Sequence, residues 1–169
     1  MPRHALSLKA KALSLIAQRE HSPMELRRKL LAHIDRQARA AAAATPGAEA
    51  AAPPPDERPI DELLEWLAAK DLLNTSRFIE TRVTARAGRF GNLRIRQELA
   101  QHGLEADDET VAGLKTSELT RARAVWAKRF GAPAADAAAR ARQMRFLAAR
   151  GFNAEVIRRV VRGAVEDDE

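Results

Sequence analysis

Arginine is the residue type through which this chain offers chemistry. Arg82, Arg86 and Arg89 recur at i, i+4 and i+7, which puts three guanidinium groups along one side of a helix. Arg94 and Arg96 follow shortly after them. Each guanidinium is permanently charged and presents a planar fork of donors that matches carboxylate and phosphate oxygens. From Arg77 to Leu104 there are six arginines and two glutamates, a local charge of +4. Two further basic clusters lie at Arg27, Arg28 and Lys29, and at Arg145, Arg158, Arg159 and Arg162. One such stripe would suit a solvated helix face. Three helices of the same sign point instead to a contact surface for an anionic partner. Arg82, Arg86, Arg89, Arg94 and Arg96 form its expected centre, the first cluster extending it one way and the last the other.

Other chemistries find little support. With no cysteine, disulfides, thiolate zinc sites and cysteine nucleophiles are excluded, which fits a reducing compartment. There is no phosphate-binding glycine loop, dinucleotide fingerprint, serine elbow or zinc-protease motif. His4, His21, His33 and His102 are scattered and read as surface or helix-end residues. Asp107, Asp108 and Glu109 resemble paired carboxylates, but acids also belong in a first helical turn, facing the positive end of the helix dipole. The expectation is a protein that is not an enzyme, with no cofactor, no metal and no small-molecule substrate. A net charge of +6 and a pI near 10.4 favour nucleic acid or an acidic protein surface as partner. No apolar run approaches the roughly 20 residues of a membrane span, and the start lacks a signal-peptide core. A soluble, cytoplasmic protein without a membrane partner is expected.

The elements that must position these side chains are helices. Apolar residues make up 46% of the chain, but many are alanines and only 4% of the chain is aromatic, so thin helical layers suit it better than one thick core. A first amphipathic helix is expected over 5–19, with Leu6, Ala10, Leu13 and Ala17 on one stripe. Ser22-Pro23-Met24-Glu25 reads as a capped helix start, followed by Leu26, Leu30 and Ile34 inward. Alanine-rich 36–44 suits a prolonged helix, Thr45-Pro46-Gly47 should stop it, and the four prolines in 50–59 suggest a flexible surface insert. Residues 59–70 form the next helix, with Ile60, Leu63, Leu64 and Leu67 inward and Trp66 read as packing.

Asn74 is expected to cap the arginine-bearing helix, stapled by Leu73 and Phe78, with Ile79, Val83, Ala87 and Phe90 on its apolar face. Gly88 and Gly91-Asn92 break the pattern, Asn92 capping a helix that carries Ile95 and Leu99 and ends at Gly103. A short helix over 107–114 and another over 117–130 follow. The latter should turn Leu119, Ala122, Val125, Trp126 and Phe130 inward, and Arg121, Arg123, Lys128 and Arg129 outward. The last two helices are expected over 137–150 and after Asn153, which caps a helix with Ile157, Val160 and Val161 inward.

The order of helices repeats. Leu26-Arg27-Arg28-Lys29-Leu30-Leu31, Ile95-Arg96-Gln97-Glu98-Leu99-Ala100 and Gln143-Met144-Arg145-Phe146-Leu147-Ala148 align, with Leu99 and Leu147 48 residues apart and Leu30 and Leu99 69 apart. The excess in the first gap is about the length of the alanine-proline insert. The fold expected is all-α: three tandem three-helix repeats in an elongated, crescent-like array. Repeat one covers 1–74 with its insert at about 35–58, repeat two 75–115 and repeat three 116–165, leaving an acidic tail over 166–169.

On these residues the chain resembles the RecX family of recombinase regulators. The resemblance is carried by Arg19-Glu20-His21-Ser22, by Glu25-Leu26-Arg27-Arg28-Lys29-Leu30 and by Leu73-Asn74-Thr75-Ser76-Arg77-Phe78. Arg89-Phe90-Gly91 with Leu93 to Leu99, Gly103-Leu104 and Phe146 to Phe152 with Val156-Ile157 complete it. It covers nearly the whole chain except 35–58. It implies three tandem three-helix repeats that bind the groove of the RecA filament and inhibit strand exchange, ATPase and coprotease activities. Homologous recombination, DNA repair and the SOS response would be modulated in turn. RecA is then the expected partner, with single- or double-stranded DNA as a further one, and no catalytic residue is carried over. The alternative is a helix-turn-helix-like module that binds DNA directly.

Overall fold

The computed structural model describes residues 7–44 and 56–166, with side chains described as far as 163. The described residues form eight α-helices and no strand: α1 (Leu8–Ile16), α2 (Pro23–Ala43), α3 (Arg58–Ala69), α4 (Thr75–Ala87), α5 (Asn92–Ala100), α6 (Asp108–Arg129), α7 (Ala137–Ala149) and α8 (Ala154–Glu166). The all-α expectation holds. His4, residues 45–55 of the expected insert and residues 167–169 lie outside the described residues, while 35–43 of that insert continue α2. The chain divides into two compact units, Met1–Phe78 and Ile79–Glu169, and the division falls within α4.

In the first unit, α1 and α3 both pack on α2. Ala12, Leu15, Leu26, Leu30, Ile60, Leu67 and Leu73 form its core. Ser7 caps α1, its Oγ accepting from Ala10 N at 3.2 Å, and the helix ends at Ile16 rather than running to 19. Ser22 caps α2 as its motif requires, its Oγ accepting from Glu25 N at 3.1 Å. The alanines at 40–43 extend α2 although all are exposed, so intrinsic propensity rather than burial holds that end. Trp66 departs from its expected packing role. It is exposed, and the Lys9 ammonium sits over its ring at 3.8 Å from the centroid. Asn74 caps α4 as expected, its Oδ1 accepting from Arg77 N at 2.9 Å.

A buried carboxylate and two partly exposed cations lock the start of α2. Glu25, 7% exposed, pairs with Arg19 and, at 3.2 Å, with Lys29. His21 is buried beside them, Nδ1 at 2.8 Å from Arg19 O and Nε2 at 2.9 Å from Lys29 Nζ. An ammonium only donates, so Nε2 accepts and Nδ1 carries the ring proton. Burial and the neighbouring Arg19 and Lys29 charges lower the His21 pKa, against the raising effect of the hydrogen bond to Arg19 O.

In the second unit, α8 packs on α6 and α7 over Ala122, Leu147, Phe152, Ile157, Val160 and Val161. Residues 107–130 form one helix and not two. Asp107 caps it, with Oδ1 2.8 Å from Thr110 N, and Asp108 and Glu109 occupy its first turn. Nothing in Lys115-Thr116 breaks the ladder, since neither glycine nor proline stands there. Two further corrections concern the polar centre of this unit. Asn92 is the first residue of α5 rather than its cap, which is Gly91. Arg121 points inward rather than out, donating to Ala87 O at 3.0 Å, Phe90 O at 2.8 Å, Asn92 Oδ1 at 2.5 Å and Leu114 O at 3.0 Å. Burial lowers the Arg121 pKa against the opposing pull of Glu118.

Candidate anion-binding surface

Phe90 gathers the central arginines. The guanidinium carbons of Arg86, Arg89 and Arg94 lie 5.6, 5.7 and 5.0 Å from its ring centroid. Cations at such distances are drawn to the negative face of an aromatic ring. The sequence places Arg86 in the last turn of α4, Arg89 in the turn that follows it and Arg94 in the first turn of α5. The turn at Gly88 to Gly91 folds the two helices around the one ring.

The turn is held from beneath. Glu118, 4% exposed on α6, accepts through Oε1 from Asn92 N at 3.0 Å and from Asn153 N at 3.2 Å. Its Oε2 accepts from Asn92 Nδ2 at 3.0 Å. One carboxylate thus satisfies backbone donors at the starts of both α5 and α8, the ends that favour negative charge. Arg121 clamps the same turn through the carbonyls of Ala87 and Phe90.

Arg82, Arg86 and Arg94 line a polar groove of about 410 Å³ with Gln97, Glu98, Gln101 and His102. Arg86 Nε donates to Glu98 Oε2 at 2.8 Å, and Arg94 Nε lies 3.9 Å from Glu98 Oε1. Arg82 Nη2 is 3.2 Å from His102 Nε2, which must accept because a guanidinium only donates. Three arginines against one carboxylate leave the groove positive. Such guanidinium groups can offer oriented donors to phosphate or carboxylate oxygens. Among the described residues no group of histidines and acids could hold a metal ion.

The remaining expected contacts fall elsewhere. Arg89 opens on a separate groove with Lys128, Arg129, Phe146 and Arg150. Arg96 lies on another side of α5, beside Leu93 and Val111. Arg158 and Arg162 border a groove of about 300 Å³ with Arg140 and Met144. Arg145, Arg159 and Arg28 are exposed. Arg27 is engaged by Asp61 at 2.9 Å and Glu57 at 2.5 Å, and Lys29 by Glu25 and His21. In the first unit, therefore, two of the three expected cations already meet the chain's own groups.

Sequence reasoning missed Glu118, Arg121 and the cations that meet Arg89. Leu114, Glu118, Arg121 and Val125 recur at i, i+4, i+7 and i+11. That stripe marks an inward face whatever the charges on it. Lys128, Arg129 and Arg150 carry no local signal, because only tertiary packing brings α6 and α7 to Arg89.

Comparison with known proteins agrees with this architecture. Residues 116–161 match the third three-helix domain of RecX. A regulatory protein RecX of Ralstonia pickettii is 44% identical over 98% of this chain and 93% of its own length. One from Herminiimonas arsenicoxydans is 39% identical over the full length of both. One from Neisseria meningitidis is 30% identical over 95% of this chain and 93% of its own length. With identity at this level along nearly the whole chain, the protein belongs to the RecX family of regulatory proteins.

Proposed function

We propose that the chain regulates recombination in the cytoplasm by binding the RecA–DNA filament and inhibiting RecA strand exchange, ATPase and coprotease activities. Homologous recombination, DNA repair and the SOS response are modulated through that inhibition. The observation that carries this reading is the convergence of Arg82, Arg86 and Arg94 on one groove in a member of a regulatory family. Such a groove suits an anionic assembly, protein carboxylate or phosphate. Arg89, Arg96, Arg28, Arg145, Arg158, Arg159 and Arg162 supply further exposed cations. Repeat boundaries at about 74, 115 and 165 go with this reading.

Imaging the protein on RecA–DNA filaments tests it. Decoration along the filament, with shortening, is expected. Bare filaments at stoichiometric excess count against it, as does equal decoration by a variant carrying Arg82→Ala, Arg86→Ala and Arg94→Ala.

A second reading, direct DNA binding, gains from one observation. Arg94 and Gln97 on α5 and Gln101 at its C-cap border the same groove, and arginine and glutamine are the types that read guanine and adenine edges. Sequence-selective binding that survives raised salt is its mark. Sequence-blind binding with a steep salt slope indicates phosphate contacts alone.

A further inference from the structure

The groove beside Arg89 differs from the α4–α5 groove in its charge. It has a volume of about 690 Å³ and is lined by Gly88, Arg89, Ala124, Val125, Lys128, Arg129, Phe146 and Arg150. Four cations stand around it and no acid does. Among the described residues none of the four forms an ion pair, whereas Arg86 and Arg94 share Glu98. Lys128 and Arg129 sit in the last turn of α6, where the helix dipole favours cations. That accounts for two charges. It does not account for Arg89 and Arg150, brought from other segments to the same concavity.

The apolar part decides what the groove takes. Ala124, Val125 and Phe146 contribute its apolar lining. Arg150 lies over the Phe146 ring at 3.7 Å, and Phe130 meets that ring edge-on at 5.1 Å and 80°. A nucleobase would have to compete with both neighbours for Phe146, and a phosphate would leave the apolar lining uncovered. A peptide answers both features, with carboxylates for the guanidinium forks and a hydrocarbon side chain for the apolar lining.

We propose that this groove is a docking site for an acidic protein segment that carries a large apolar side chain beside its carboxylates. The four cations fix the charge of the segment and steer its approach. Ala124, Val125 and Phe146 select for the apolar residue. The site shares Arg89 with the filament reading but otherwise uses other residues, and its test needs no RecA.

The test is fluorescence anisotropy of the full chain at physiological salt, with no RecA present. The probes are a labelled peptide of four aspartates followed by leucine and phenylalanine, the same tetra-aspartate without the apolar pair, and oligothymidylate. The first peptide is expected to bind at least about tenfold more tightly than the second. Arg89→Glu with Lys128→Glu should weaken it by about tenfold or more, and Arg36→Glu with Arg39→Glu, an equal change of charge on α2, by less than about twofold. Far-UV circular dichroism checks that the variants remain helical. Absent peptide binding, equal affinity for both peptides or equal loss in both double variants overturns the proposal. Oligothymidylate that binds more tightly, displaces the peptide and depends on the same two residues makes the groove a nucleic-acid site instead.

Discussion

Gly91 and Gly151 meet backbone to backbone. A Cβ on Gly91 would stand 2.3 Å from the Gly151 carbonyl oxygen, and one on Gly151 would stand 2.6 Å from Arg94 N. Gly91 N donates to Arg150 O at 2.9 Å, and Leu93 N donates to Gly151 O at 3.1 Å. Gly151 also has a φ of 79°, which side chains disfavour. The start of α5 is thereby seated on the α7–α8 turn, and the seat places Arg94 relative to Phe90.

Gly91→Ala should therefore destabilise the second unit by about 3 kcal/mol or more, since backbone atoms on both sides must move. Gly88→Ala is the matched control, because a Cβ there meets nothing within 4 Å. Its effect should stay within about 1 kcal/mol. Thermal and urea denaturation of both variants check this, and similar losses would contradict it.

Glu118→Gln should cost about 1–3 kcal/mol, because the amide replaces one acceptor oxygen with a donor facing donors. Asn92 N, Asn92 Nδ2 and Asn153 N all point at that carboxylate. Amide hydrogen exchange should show faster exchange at the first turns of both α5 and α8. Faster exchange at only one of them would mean that the carboxylate does not join the two.

Acid should weaken the first unit in two steps. Burial pushes the Glu25 carboxyl up, but hydrogen bonds from Arg19 and Lys29 outweigh it and hold the pKa at about 2. Its contribution is full above the unfolded value near 4.5 and is lost as pH falls towards 2. His21, lowered from 6.5 mainly by burial, contributes fully above that value and loses its contribution as pH falls below it. Both signs agree, so stability declines on acidification. Melting temperature measured against pH should fall in both windows for the native chain. Glu25→Gln should flatten the lower window and keep the upper one, which deepens as His21 loses the Glu25 charge that raises its pKa. An unchanged lower slope would show that Glu25 is not the group titrating there.

The helices were legible where a local signal sets them. Ser22-Pro23 opened α2, Asn74 capped α4, and Gly103 took the left-handed φ of 67° expected after α5. Misreadings came where tertiary contacts override such signals. Asn92 suits a cap by type, yet Glu118 and Arg121 claim its side chain. Arg121 looked external because it is charged, yet it finds acceptors at Ala87, Phe90 and Leu114 within a packed joint. The same limit applies to the cationic surface. The i, i+4 spacing of Arg82 and Arg86 placed them together, whereas Arg27 met Glu57 and Asp61 from residues 30 and 34 positions away.

The central proposal is that this chain restrains RecA through Arg82, Arg86 and Arg94, which line one groove between α4 and α5. The direct measurement is the DNA-dependent ATPase rate of RecA with the protein in stoichiometric excess at moderate salt. Suppression is predicted for the native chain. The variant carrying Arg82→Ala, Arg86→Ala and Arg94→Ala should need at least about tenfold more protein for the same effect while keeping its helicity. An ATPase rate unchanged by the native chain, or suppressed equally by the variant, would contradict the account.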